Sequence, residues 1–223
     1  MTKHVAFLRL AWTGDRQSLG DRVIDACAAI HCAGLVVDLV RPPPANLPYK
    51  PSSDPTVGSA MPPCYDAIVS LSEPEEVVRD WEDLIGVQVA AAHIYVVEER
   101  VVFDKNRSRA IGRTPGMKLF GQLQFHSDLP DSAARRSWSL HAKLAERVHV
   151  GASRYVQNWV VGQISRGAPK ASGFPEMYFP TKADLIDRFF DSPRGAMEIY
   201  HDTAHFVASG PRFYATEHVL RLS

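Results

Sequence analysis

WSLHAKLAERVHVGASRYVQN, residues 138–158, decides the fold class because it sets a helix directly before a strand. Ala134, Trp138, His141, Ala145 and Val148 recur at three- and four-residue spacing, the period of one helix face. Leu140 and Leu144 are expected to widen that stripe. Ser132 is placed to cap the helix and Gly151 to stop it. Arg154 to Val161 then reads as a strand. His141 therefore lies on the apolar face of a helix that must rest on a sheet. Such an imidazole is either a core residue tied to a carbonyl or a proton-transfer group lining a cavity, and both readings stay open here.

Outward from this stretch, the chain reads as two passes through one element order. Strands are expected at Val5–Leu10, Leu35–Val40, Ala67–Leu71 and Ile94–Phe103. A helix carrying Leu19, Val23, Cys27 and Ile30 follows the first, and a helix from Pro74 through Trp81 and Leu84 precedes the last. The second half gives strands at Leu119–Phe125, Arg154–Val161, Phe174–Phe179 and Phe213–Leu222. Its helices are Asp131–Val148 and Lys182–Phe190, with extra helical sequence from Gly195 to Phe206. Tyr65 to Val69 matches Phe174 to Tyr178 in role, and Ile94-Tyr95 with Glu98 matches Phe213-Tyr214 with Glu217. Two β-α-β-β-α-β units predict ferredoxin-like repeats, each with one bare sheet face. Pairing those faces within one chain predicts an α+β barrel. The expected division is 1–104, a basic linker at 105–116, and 117–223. Residues 41–64 hold half of the 16 prolines and form a long connection between elements.

Composition removes several function classes. The 25 basic and 25 acidic side chains balance, which argues against nucleic-acid binding and against an electrostatic membrane partner. No apolar run approaches the roughly 20 residues of a membrane span, and the N-terminal stretch does not read as a signal peptide. Cys27, Cys32 and Cys64 form no CxxC pair, so neither a disulfide framework nor a zinc site is expected, and the cytoplasm is the default compartment. The chain contains no GxGxxG, GxxxxGK[ST] or GxSxG, so nucleotide-cofactor and serine-hydrolase chemistry have no support in the sequence.

Trp138, His141-Ala142-Lys143-Leu144 and Arg154-Tyr155-Val156-Gln157-Asn158, followed by Phe174 to Phe179 and Phe213 to Val219, resemble the EthD family of the dimeric α+β barrel superfamily. The likeness spans about residues 115–220, with Lys143 where the family carries proline. It implies a small-molecule cavity between the helix and the sheet, and a chemistry from among lyases, isomerases, cyclases, dehydratases and oxygenases.

The candidate residues follow. His141 can take and return a proton without a metal. His201-Asp202-Thr203-Ala204-His205 carries a histidine pair at i, i+4 without a third ligand, so no metal is expected, and His205 is the expected second acid/base group. Trp138, Tyr155, Asn158, Tyr178, Gln124 and His218 are the expected substrate contacts. Tyr155 and Asn158 fall on opposite faces of a period-two strand, so at most one of them lines a given pocket. Arg9 and Gln122 are further polar groups in strands. The leading expectation is a cofactor-independent lyase, isomerase or cyclase acting on an apolar aromatic or lactone-type molecule. A cofactor-free or haem-using oxygenase, and a non-catalytic binding protein of a degradation pathway, are the alternatives. A homodimer is the expected assembly.

Overall fold

The computed structural model describes residues 2–48, 65–74, 79–105 and 109–222. The first half runs β1 (Thr2–Leu10), α1 (Arg16–Ala28), β2 (Cys32–Arg41), β3 (Ala67–Pro74), α2 (Trp81–Ile85) and β4 (Val89–Asp104). After β5 (Gly112–Arg113) come β6 (Met117–Gly121), β7 (Gln124–Phe125), α3 (Asp131–Val148), β8 (Arg154–Gln163) and β9 (Gly173–Phe179). The chain closes with α4 (Lys182–Asp187), α5 (Pro193–Ala204), β10 (Val207–Ser209) and β11 (Arg212–Arg221). Among the described residues no helix is long and apolar enough to cross a membrane.

Eight strands pair in the order β2-β3-β1-β4-β8-β9-β6-β11, and β11 pairs back onto β2, all antiparallel. The result is a closed barrel, which removes both sheet edges. Within each half the strand order is second, third, first, fourth. The 16-residue β4 joins the halves. Its N-terminal part pairs with β1 and its C-terminal part with β8, with irregularities at Val96/Val97 and Val101/Phe103.

Period-two alternation gives every strand one residue set for the barrel interior and one for the helices. Odd residues of β1 face inward. Phe7 stands at the centre, its ring 5.0–6.0 Å from those of Tyr65, Tyr95, Phe120, Phe174 and Phe213. Nearer the other end the interior is ionic. Lys118 Nζ lies 2.8 Å from Asp38, 2.9 Å from Glu176 and 2.7 Å from Glu217, while Lys3 bridges Glu99 and Glu176. Burial pushes the Asp38 carboxyl up against the pull of Lys118. For Glu176 and Glu217 burial acts upward too, but Lys118 and its neighbouring cations outweigh it and hold both below the usual carboxylate range. The middle of the barrel is thus filled with side chains.

Several sequence expectations change. The strand expected at 119–125 stops at Gly121, because Gln122 N–H bonds the Pro211 carbonyl and Gln124–Phe125 leaves to pair with β10. The helix expected through Phe190 ends at Asp187. Of the helix expected from Pro74, the described part is Trp81–Ile85; residues 75–78 lie outside the described residues, as do 49–64 of the proline-rich connection. The expected linker carries β5, paired with β11. On α3, Ser132 makes no cap and Leu140 is 62% exposed, whereas Ala142 is buried: the stripe turns toward Ala142 because α5, and not only the sheet, covers it. Finally, the interior counterpart of Glu217 is Glu99, while Glu98 is exposed.

Candidate active site

The site lies outside the barrel, between α3, α5 and the outer faces of β6, β8, β9 and β11. Here a cavity of about 510 Å³ is lined by Trp138, His141, Ala145 and His149 from one side and by Leu119, Tyr155, Pro175 and Met177 from the sheet. Ile199, Tyr200 and Thr203 of α5, with Phe206, close it. The size falls in the range of small-molecule sites, and the walls are mostly apolar.

Ser192 caps α5 through its hydroxyl to Gly195 N–H, and Pro193 opens the helix with its preset φ. Glu198 of α5 pairs with Arg147 of α3, which fixes the helices side by side. This brings Asp202 opposite His141: Nδ1 lies 2.6 Å from Asp202 Oδ2. A carboxylate accepts, so Nδ1 is the donor, and in the neutral ring the lone pair is on Nε2. The imidazole is only 7% exposed, whereas the Asp202 side chain is 40% exposed. The carboxylate is thus solvated on its outer side and steers the ring from there, without an uncompensated charge in the core.

Tyr155 sits across from this pair. Its phenol oxygen accepts from Trp138 Nε1 at 3.1 Å and from Gln157 Nε2 at 3.2 Å, and the same Gln157 nitrogen donates to the Trp138 carbonyl at 2.7 Å. With both acceptor directions used, the phenol proton is the group's remaining bond. Burial pushes the phenol up to about 12, so it stays protonated at neutral pH. The cavity therefore brings an imidazole, His141, and a phenol, Tyr155, together within largely apolar walls, whose other polar residues are His149, Tyr200, Thr203 and Arg212. That pairing can remove a proton from carbon and hold the oxyanion that results.

The other expected site residues are dispersed. His205 is exposed at the C-terminal end of α5, its Nε2 3.4 Å from that of His201, because the helical turn that aims Asp202 inward aims His201 and His205 outward. Asn158 faces the barrel interior, donating to the Phe174 carbonyl and to Glu176. Tyr178 and Gln124 are half-buried away from the cavity, the latter accepting from Ser209 at 3.4 Å. His218 lies half-buried on β11, across from Arg113 and Val37. Arg9 is exposed; Gln122 is buried but stands outside the cavity walls. Of the expected set, His141, Trp138 and Tyr155 come together. Asp202, Gln157 and His149 were not expected there. Asp202 lies within the HDTAH motif, where the histidine pair at i, i+4 is the stronger signal in the sequence.

Solved structures share this architecture over nearly the whole chain. An anthrone oxidase-like protein superposes with a TM-score of 0.62 at 10% identity, covering 98% of this chain and 93% of its own. A candidate monooxygenase from Fusobacterium nucleatum subsp. nucleatum gives 0.57 at 8% identity, covering 99% and 92%. Another from Lactobacillus acidophilus gives 0.50 at 7%, covering 97% and 93%. The chain has the α+β barrel fold. No protein-family profile matches it, and no curated protein sequence does. At these identities the barrel is what is shared, and the chemistry has to be argued from the side chains in the cavity. Among the described residues no group of three or more His, Cys, Asp or Glu is placed to hold a metal ion.

Proposed function

We propose that this barrel is a cofactor-independent oxygenase of a carbon acid, a methylene activated by an adjoining aryl ketone as in an anthrone. The carrying observation is His141, held through Nδ1 by Asp202 at 2.6 Å, lining a largely apolar cavity that Tyr155 also lines. The names of the similar barrels, an anthrone oxidase-like protein and candidate monooxygenases, favour oxygenation over the lyase or isomerase reading. The EthD-like wording of residues 115–220 supports the same helix-to-sheet cavity. The two halves, 1–104 and 117–223, are taken as ferredoxin-like repeats, of which the second carries the site.

In this reading His141 Nε2 takes one methylene proton, and the electron pair moves into an enolate whose oxygen accepts from Tyr155. The enolate carbon forms a bond to dioxygen, which is reduced as the carbon is oxidised. The proton returns from His141 to the outer oxygen, giving a hydroperoxide. Loss of water, carrying the second methylene hydrogen, leaves a ketone. One oxygen atom stays in the product and the other leaves as water.

The test is oxygen uptake and ¹⁸O₂ labelling with anthrone, for the wild type and His141→Ala. One labelled oxygen per product, with kcat reduced by about 10²–10⁴ in the variant, is expected for loss of a general base. Conversion without oxygen would return the lyase or isomerase reading. An imidazole with Nδ1 engaged and Nε2 open is also the state in which histidine ligates a metal. A Soret band that follows haem addition and disappears in His141→Ala would therefore replace the proposal with a haem-dependent one.

A further inference from the structure

His149 stands just past the end of α3 and lines the same cavity as His141. Eight residues separate them, about 12 Å along a helix at 1.5 Å per residue. The ring is buried, and its Nδ1 lies 2.8 Å from the Phe189 carbonyl. A carbonyl only accepts, so Nδ1 carries the hydrogen and Nε2 is an acceptor. Phe189 and Phe190 pack on the ring at 4.7 and 5.5 Å and fix its orientation. Among the described residues Nε2 has no hydrogen-bond partner. An acceptor left unpaired on the wall of this cavity disfavours an apolar ligand edge there and favours a donor.

We propose that His149 Nε2 is an acceptor subsite for a phenolic hydroxyl at the end of the substrate remote from the reacting carbon. The substrate class is then an extended, fused-ring aromatic bearing a hydroxyl at that end. The assignment rests on the cavity being the site of the proposed oxygenation. Burial lowers the His149 imidazole to about 4, against the Phe189 carbonyl and with help from His141 and Arg212, so the ring is neutral at working pH. It therefore acts as a hydrogen-bond acceptor and does not carry the proton that His141 moves.

Binding of two non-reacting probes, 2-hydroxyfluorene and 2-methoxyfluorene, tests the subsite by calorimetry. The wild type is expected to bind the phenol about 3–10-fold tighter than its methyl ether, the range of one neutral hydrogen bond. In His149→Phe that ratio should fall below about twofold. In His149→Gln it should persist, because the amide can donate to Phe189 and still accept. Equal binding of the two probes by the wild type, failure of both to bind, or an undiminished ratio in folded His149→Phe overturns the subsite. If probe discrimination holds while anthrone takes up no oxygen, the oxygenase reading fails and the subsite stands; uptake without discrimination gives the reverse.

Discussion

The two outer faces of the barrel are built from the same strand order, yet one is solid and the other hollow. Under α1, Leu19, Val23 and Cys27 rest directly on Leu8, Leu35, Val37 and Val69, leaving a gap of only about 10 Å³ at that helix. Gly20 permits this approach, since a Cβ there would lie 2.7 Å from Leu39 Cδ1. Under α3 the space reaches about 510 Å³. There Trp138 props the helix, its ring against Gly173, where an added Cβ would come within 2.3 Å of the indole. Small side chains let one helix settle onto its sheet, while a large aromatic and a third helix hold the other away. The difference lies in side-chain size and in the added helix α5, not in the strand order.

The comparison can be broken most directly by truncation. Leu8→Ala, in the solid half, should cost toward the upper end of about 2–5 kcal/mol in urea unfolding, whereas Met177→Ala, with empty space already on one side, should cost toward the lower end. Equal costs would mean that the second half repacks and that the cavity is not a fixed feature.

Acid sensitivity sharpens the contrast, because His149 belongs to the hollow half. Its folded value of about 4 lies below the ordinary 6.5, so the unfolded chain binds the proton more readily. Its contribution is fully present above about pH 6.5 and is lost as pH falls toward 4, up to about 3 kcal/mol. His4, His93 and His218 are also lowered by burial and act in the same direction. His149→Phe should flatten this limb of the stability–pH curve; an unchanged slope would show that His149 is not the main contributor.

Adding atoms gives the converse measurement. Gly20→Val should destabilise by about 1–3 kcal/mol through crowding against Leu39. Ala145→Val, whose added methyls border the cavity, should cost less than Gly20→Val while weakening 2-hydroxyfluorene binding. Asp202→Asn tests the hold on His141 itself. It keeps a hydrogen-bonding partner for His141 but loses the charge, and should lower kcat by about tenfold with little change in KM, because the group is partly solvated. A larger change in KM than in kcat would make Asp202 a binding residue.

Much of this was legible in the chain. The 3.6-residue period of 131–148 predicted α3 to the residue, and the strand periods predicted the barrel, because local periodicity must match whatever face is buried. Alternation also separated Tyr155 from Asn158, but it could not say which side of β8 would meet helices and which would meet Glu176. The partner of His141 was not legible either. Asp202 lies 61 residues away, and a single residue step, about 100° of helical rotation, separates its inward carboxylate from the outward His201.

By itself, then, the sequence determined the elements, their order and an imidazole on an apolar helix face, since each is written in the spacing of neighbouring residues. Only the tertiary structure decided that α1 would close on its sheet and α3 would not, that Asp202 would hold His141, and that His149 would line the same space. Those outcomes depend on the size and rotation of side chains brought together from distant parts of the chain, and local periodicity carries no record of either.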